Sequence, residues 1–221
     1  MKNLTKYCTC EIQCWLYSKN PNIFDAVYKI LYQSIYFRSA IVLLLVCPNS
    51  NISLTKTIPV SSCLYSISPF YIGTFLSNTR GVAQPVRIVD IEGNETVLHY
   101  QELPNEIERS RCTFIQSKDT LVFTDTNANT VYLLNTKTGE RFKVIHPSID
   151  NPRDACEGPN GTVLISCFSS ILQLTVKGEI LSSVDVGVIC LYSVSVSKDG
   201  TKLAVSSSEP RNMELRLFKI V

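Results

Sequence analysis

The sequence lacks the features that mark several classes of protein. It has only two histidines and one tryptophan, and its formal net charge at pH 7 is +2. A protein that binds nucleic acid regardless of sequence is usually strongly basic, so the near-neutral balance gives no electrostatic sign of that function. No apolar run approaches the roughly twenty residues that a membrane-spanning helix needs. The chain is nevertheless 45% hydrophobic over 221 residues, enough for the core of one large β domain or two small ones.

The cysteines do not form a recognisable disulfide framework. There are nine of them, an odd number, and most stand inside apolar runs such as VLISCF and GVICLY. Buried free thiols explain this distribution better than disulfides, so the sequence favours a reducing, cytoplasmic location. Cys8, Cys10 and Cys14 are spaced C-x-C-x3-C, with no second pair nearby. Structural zinc sites commonly use paired units that supply four ligands, so we expect neither a metal nor another cofactor.

Residues 1–50 differ from the rest of the chain. They carry five Lys or Arg against two Asp or Glu, and they contain the apolar run IYFRSAIVLLLVC. This run is too short for a membrane span and starts too late for an ordinary signal peptide. A buried helix or strand, or an N-terminus altered by splicing or gene prediction, explains it better than a membrane anchor. We therefore predict a separate segment of uncertain structure over 1–50, without membrane association.

From residue 51 onward the sequence repeats. Four segments share a tight turn, a threonine and an apolar run: SPFYIGTFLSNT, IQSKDTLVFTDT, CEGPNGTVLISCF and SVSKDGTKLAVSSS. The shared threonines are Thr74, Thr120, Thr162 and Thr201, at spacings of 46, 42 and 39. A second landmark consists of Gly93, Gly139 and Gly178, at spacings of 46 and 39. Two landmarks with one period indicate a structural repeat of about 40 residues.

The residues between the landmarks alternate as β-strands do. Segments such as TVYLLNT and ILQLTV are rich in β-branched and aromatic residues, and TLVF and TVLI are apolar on both faces. Units of about 40 residues with four short strands are typical of the blades of a β-propeller. The sequence thus predicts an all-β propeller over 51–221, with about four four-stranded blades near 62–101, 112–147, 152–187 and 191–221.

The last blade has room for three strands, and strand 54–60 could complete it. A partial or open ring would expose strand edges, which predicts self-association.

These units resemble the NHL-type and related propeller repeats of tripartite-motif proteins, in particular those of invertebrates. The matching segments are GPNGTVLISCF, ILQLTVKGEIL and YSVSVSKDGTKLAVSSS, and the resemblance covers 51–221. The resemblance implies a propeller that recognises protein or RNA, next to a RING finger with ubiquitin-ligase activity, B-boxes and a coiled coil. This sequence has no RING-type Cys/His array, B-box or heptad repeat, so only the recognition role carries over.

The expected function is therefore a non-enzymatic binding module, most of all for a protein or peptide, with RNA as a weaker alternative. A second interpretation is the substrate-recognition part of a ubiquitin ligase whose RING lies outside this chain. Propellers usually bind ligands on the face made by the loops from outer to next inner strand and from second to third strand. The candidate ligand-binding residues in those loops are Arg80, Arg109, Arg111, Asn127, Asn129, Arg153, Phe168 and Arg211. Arginine suits carboxylate or phosphate, asparagine bonds to bases or peptide groups, and phenylalanine offers a stacking plane.

A third interpretation is a calcium-dependent, lactonase-like hydrolase. The segment RDACEGPNG places Asp154 and Glu157 where an inner strand begins. A hard cation needs several oxygen ligands, and the other inner strands, YSISP, CTFIQ and YSVSV, contain no carboxylates. The segment G-x-S-x-G, which marks some serine hydrolases, does not occur either. We therefore predict no catalytic residues and no metal ligands.

Overall fold

The computed structural model describes residues 12–14, 27–32, 39–46, 52–61, 64–79, 86–98, 111–197, 199–209 and 213–220. The described residues form five antiparallel sheets. Sheet 1 contains β1 (Ile12–Cys14), β2 (Val27–Tyr32), β3 (Ser39–Val46) and β4 (Ile52–Val60). Sheet 2 contains β5 (Leu64–Pro69), β6 (Thr74–Thr79), β7 (Val86–Asp90) and β8 (Glu95–Val97).

The other three sheets follow in chain order. Sheet 3 contains β9 (Arg111–Ile115), β10 (Thr120–Asp125), β11 (Thr130–Asn135) and β12 (Arg141–Val144). Sheet 4 contains β13 (Asp154–Glu157), β14 (Val163–Ser166), β15 (Ser170–Leu174) and β16 (Ile180–Asp185). Sheet 5 contains β17 (Leu191–Val196), β18 (Lys202–Ser207) and β19 (Leu215–Lys219). The helical elements are two short 3₁₀ turns, Gln116–Lys118 and Pro159–Gly161, and no helix among the described residues is long and apolar enough to cross a membrane.

The prediction of an all-β propeller is confirmed. Four of the sheets are four-stranded, and within each sheet the strands pair with their neighbours in chain order. The first strands of sheets 2 to 5, namely β5, β9, β13 and β17, contact one another in succession. This is the arrangement of propeller blades around a centre, with the first strand of each sheet innermost.

The four apolar cores lie between successive sheets. On β10, Val122 belongs to the cluster between sheets 3 and 4, whereas its neighbour Phe123 belongs to the cluster between sheets 2 and 3. The whole of β10 is buried. This explains why TLVF is apolar on both faces, since each side of the strand packs against a different sheet.

Sheet 1 is the main departure from the sequence-based expectation. It spans the division expected between 1–50 and 51–221, because β4 pairs antiparallel with β3. Strand 54–60 therefore lies in sheet 1, not beside β19 in the last blade. The reason is packing: Ile41 and Ile58 are opposite each other and buried, and they form one core with Ile67 and Val89 of sheet 2.

The glycines of the second landmark, Gly93, Gly139 and Gly178, stand in the turns between the third and fourth strands of sheets 2, 3 and 4. Gly178 has φ +87, a backbone conformation that residues other than glycine rarely adopt. A Cβ atom there would lie 2.6 Å from Val144 Cγ2 of sheet 3. The glycine is thus needed both for the turn and for the close approach of sheet 4 to sheet 3.

Candidate functional site

The candidate site is one end of sheets 3 to 5, here called the connection face. It is formed by the turns at 126–129 and 167–169, the connections at 145–153 and 186–190, and residues 208–209 after β18. Because antiparallel strands alternate in direction, the outer-to-inner connections and the second-to-third turns emerge at the same end. This is the face on which the sequence predicted ligand contacts.

Arg111 lies in the interior and not in a ligand-facing loop. It is the first residue of β9, and only 3% of its surface is exposed. Its Nη1 donates a hydrogen bond to the Tyr192 carbonyl oxygen at 3.0 Å and lies 3.6 Å from Asp154 Oδ2. Its guanidinium also stacks over the Tyr192 ring, 4.2 Å from the centroid. Arg111 therefore joins β9 to β13 and β17, and this corrects its predicted role as a ligand contact.

Asp154 is the acidic partner of this buried cluster. Its Oδ2 accepts hydrogen bonds from Ser193 Oγ at 2.6 Å and from the Val194 backbone N–H at 3.1 Å. The Asp154 side chain is 5% exposed, and these donors and Arg111 take the place of water around its carboxylate. The carboxylate thus fixes sheet 4 against sheet 5 and is not directed toward a ligand.

Arg153 is the predicted site residue whose geometry best suits binding. It is partly buried, its Nε donates to Asn151 Oδ1 at 3.2 Å, and its Nη1 donates to Ser208 Oγ at 2.7 Å. Its guanidinium lies 5.9 Å from the centroid of Tyr192, on which Arg111 also stacks. Among the described residues, no acceptor bonds to its Nη2. The side chain is therefore held in one orientation while part of its donor set stays unused.

Asn127 and Asn129 occupy the turn between β10 and β11, and both are exposed. The Asn127 backbone N–H donates to Asp125 Oδ1 at 3.1 Å, so the aspartate shapes this turn. Asn129 has φ +49, and its Oδ1 accepts from the Asn151 backbone N–H at 2.8 Å. The structure thus brings Asn129 and Arg153 together through Asn151.

Phe168 supplies an apolar side chain on the same face as Arg153. Its backbone N–H donates to the Asp150 carbonyl at 2.8 Å, and its carbonyl accepts from the Leu191 N–H at 3.1 Å. The residue is 37% exposed, and the connections at 145–153 and 186–190 expose Ile145 and Ile189 at 69% and 47%. The connection face therefore combines a partly buried arginine with exposed apolar side chains.

Three predicted site residues, Arg80, Arg109 and Arg211, lie outside the described residues. Sequence analysis missed Tyr192, Asn151, Ile145 and Ile189. Tyr192 lies inside the strand pattern LYSVSV, which gives no indication that two guanidinium groups approach its ring. The signal for Asn151 was its place directly before the Pro-Arg pair in a predicted outer-to-inner loop.

The acidic residues of RDACEGPNG do not form a metal centre in this structure. Asp154 is engaged with Ser193 and Val194, while Glu157 accepts a hydrogen bond from Ser117 Oγ of sheet 3's 3₁₀ turn. Within the described ranges, no three His, Cys, Asp or Glu side chains lie close enough to hold a metal ion. The geometry therefore gives the lactonase-like interpretation no support.

Four described cysteines carry free thiols, and three of them are buried: Cys112, Cys156 and Cys167. Burial raises the pKa of Cys112 to about 12, although a hydrogen bond with Ser66 opposes the shift. Burial also raises the pKa of Cys167 to about 12 and raises that of Cys156. Such thiols behave as small apolar core residues and not as nucleophiles.

We expect these three thiols to resist alkylation in the native chain. At pH 8 iodoacetamide should modify Cys112, Cys156 and Cys167 at least about a hundredfold more slowly than after denaturation, because the thiolate is both scarce and inaccessible. Peptide mapping by mass spectrometry gives the rate at each site, with Cys190, which is partly exposed, as the internal control. Rapid modification of any of the three in the native chain would contradict the buried assignment.

Comparisons with known proteins bear on the fold. No protein-family model and no curated protein matches the sequence. Solved structures do match it. The WD40 β-propeller domain of Doa1 has a TM-score of 0.55 at 13% identity, covering 80% of this chain and 60% of that one. Streptogramin B lyase has a TM-score of 0.55 at 16% identity, covering 90% and 71%.

A chain of a nidogen/laminin complex is also similar, with a TM-score of 0.61 at 13% identity over 80% of this chain and 70% of that one. The chain thus spans about 60% of the Doa1 domain and somewhat more of the other two. At these identities the likeness concerns architecture and not activity. The chain is therefore a β-propeller protein, on the combined grounds of its repeat, its sheets and its structural neighbours.

Proposed function

We propose that this chain is a non-enzymatic binding module that takes a protein or peptide partner on the connection face. The observation that carries the proposal is Arg153, which Asn151 and Ser208 hold in place while part of its donor set stays unused. A preorganised guanidinium binds a carboxylate with little further loss of side-chain freedom. The partner segment would therefore present an acidic side chain or a chain terminus to Arg153.

The composition of the connection face favours a protein partner over RNA. Protein interfaces are enriched in aromatic residues and arginine, and the face exposes Phe168, Ile145 and Ile189. Arg111, which sequence analysis counted as a further cation of this face, is buried and paired with Asp154.

The finer proposal is that the chain serves as the recognition part of a tripartite-motif-type ubiquitin ligase. Its support is the resemblance of the repeat segments to that family's propellers. The mass of the endogenous protein, measured with an antibody against 112–221 and peptide mapping, tests it. A species much larger than 24.7 kDa that contains a RING module would support the ligase role, and a species of 24.7 kDa would oppose it.

The buried free thiols support a cytoplasmic site of action.

Selection from a random peptide library on the immobilised full chain tests the binding proposal. We expect the selected peptides to contain a carboxylate, and Arg153→Ala to weaken their binding by at least about tenfold, because a charge-assisted hydrogen bond is lost. Lys177→Ala is the matched control: it also removes one positive charge, but from an exposed turn between β15 and β16 at the opposite end. Equal losses in the two variants would mean that net charge, and not Arg153, governs binding. Steeply salt-dependent binding of a random RNA pool, lost in Arg153→Ala, would replace the protein partner with RNA.

A further inference from the structure

Among the described residues, no strand pairs with the outer edge of sheet 5. Each of the other four sheets has four strands, whereas sheet 5 has three among the described residues, and β19 pairs with β18 only. The Ser207 N–H donates to the Glu214 carbonyl, and the Ile220 N–H donates to the Thr201 carbonyl. Because backbone groups alternate along a strand, those of Leu215, Leu217 and Lys219 point away from β18.

A cavity lies next to this edge, between sheets 4 and 5. Its volume is about 280 Å³, and its lining is largely apolar. The wall residues that matter here are Leu164, Ile171, Val184, Leu203 and Phe218. Val184, on the fourth strand of sheet 4, is 55% exposed. An apolar recess bounded by an unpaired strand edge is suited to an extended chain segment.

The junction between sheets 3 and 4 shows what fills the equivalent space. There the outer part of sheet 4 covers the outer strands of sheet 3. Ile180 of β16 and Val176 pack against the cluster that contains Val144, with Phe142 of β12 alongside. A fourth strand in sheet 5 would lie over sheet 4 in the same way and would cover Val184. The cavity thus lies where the inward-facing side chains of a fourth strand of sheet 5 would pack, and its lining requires those side chains to be apolar.

Two lysines at this edge indicate which charged residue the added strand would carry. Lys202 and Lys219 are directly opposite each other on β18 and β19. Lys202 is close enough to Asp199 to attract its carboxylate, whereas no acidic side chain among the described residues forms an ion pair with Lys219. Two like charges in a cross-strand pair repel each other, and an acidic residue next to Lys219 would relieve that repulsion.

We propose that the open edge of β19 accepts an extended strand from a partner protein, with apolar residues on one face and an acidic residue near Lys219. The strand completes sheet 5 by backbone pairing with Leu215, Leu217 and Lys219. Its apolar side chains fill the cavity between sheets 4 and 5. This surface is distinct from the connection face, and the proposal does not depend on the function proposed for that face.

The probe is a synthetic peptide with the sequence of residues 178–187, GEILSSVDVG. It reproduces β16, a fourth strand of this same protein, and contains two acidic residues. Amide hydrogen exchange is followed by NMR in the full chain, with and without the peptide. We expect the amides of Leu215, Leu217 and Lys219 to exchange at least about tenfold more slowly with the peptide bound, since each gains a partner or a cover. A scrambled peptide of the same composition should give no such protection.

Two variants separate backbone pairing from side-chain contact. Leu217→Pro removes one outward N–H without removing a hydrogen bond to β18, so it should abolish the protection. Leu217→Ala keeps that N–H and should largely preserve it. Val184→Asp, at a half-exposed position, should weaken peptide binding by at least about tenfold by placing a negative charge on the cavity wall. Because Val184 lies on sheet 4, this variant tests the proposal even if Leu217→Pro fails to fold.

Three results would overturn the proposal. Slow exchange of the three edge amides in the free monomer would mean that this chain covers its own edge. A concentration-dependent dimer that Leu217→Pro abolishes would make a second copy the occupant. Equal loss of binding in Leu217→Ala and Leu217→Pro would show that backbone pairing is not involved.

Discussion

Arg111→Met should lower the free energy of unfolding by about 3–5 kcal/mol, the usual cost of removing one partner from a buried ion pair. The substitution leaves the Asp154 carboxylate buried with Ser193 and Val194 as its remaining donors. It also removes the hydrogen bond from Arg111 to the Tyr192 carbonyl and the stacking on the Tyr192 ring. Urea unfolding followed by circular dichroism gives the change in free energy.

The double variant Arg111→Met, Asp154→Asn is the control for the origin of this loss. Asparagine keeps an acceptor for the Val194 N–H but carries no charge, so the double variant should be more stable than Arg111→Met alone by at least about 1 kcal/mol. A loss below about 1 kcal/mol for Arg111→Met would show that the buried pair does not join the three sheets. A double variant as unstable as the sum of the two single variants would assign the loss to packing instead of charge.

Phe123→Ala should be similarly damaging, with a loss of about 3–5 kcal/mol in the free energy of unfolding. Phe123 is fully buried in the core between sheets 2 and 3, together with Phe70 and Phe114. Truncation to alanine leaves a cavity between two sheets that meet mainly through such side chains. Urea unfolding measures the loss, and hydrogen exchange shows whether sheets 2 and 3 open together.

Ile72→Ala is the matched control for Phe123→Ala. Ile72 is also a large apolar residue near sheet 2, but 73% of its surface is exposed. Its truncation should change the free energy of unfolding by no more than about 0.5 kcal/mol. Comparable losses in the two variants would mean that the core between sheets 2 and 3 is not packed as described.

The repeat was predictable from the sequence because its signals are local. A tight turn followed by Thr120 or Thr162, and a glycine such as Gly178 with positive φ, are requirements of single hairpins. Each can be recognised without knowledge of the rest of the molecule. The strands of sheets 2 to 5 accordingly lie within or next to the ranges expected from the landmarks.

Sheet 1 was not predictable because tertiary packing decides its pairing. Nothing in the strand pattern of β4 distinguishes pairing with β3 from pairing with β19. The choice follows from Ile41 and Ile58, which meet Ile67 and Val89 across the gap to sheet 2. Such a contact depends on the positions of two sheets and not on the sequence of one.

The face on which the candidate residues lie was predictable from the sequence, but their contacts were not. The loop pattern pointed to the connection face, and Arg153, Asn127, Asn129 and Phe168 lie there. The same pattern treated Arg111 as equivalent to Arg153. The difference arises because Arg111 donates to a carbonyl 81 residues further along the chain, whereas Arg153 bonds near the surface to Asn151 and Ser208.

The hydrogen bonds between neighbouring sheets bear on how such a chain can change during evolution. The Ser66 and Ser68 hydroxyls of β5 accept from the Cys112 and Phe114 backbone N–H groups of β9, and Thr124 Oγ1 of β10 donates to the Arg153 carbonyl before β13. In these three contacts, one sheet supplies a small hydroxyl and its neighbour supplies main chain. These hydrogen bonds use main-chain groups that every residue type except proline offers, so they place no demand of their own on the side chain of the neighbouring sheet. Junctions of this kind allow a unit to be duplicated and then to diverge, provided that its own serines and threonines are retained.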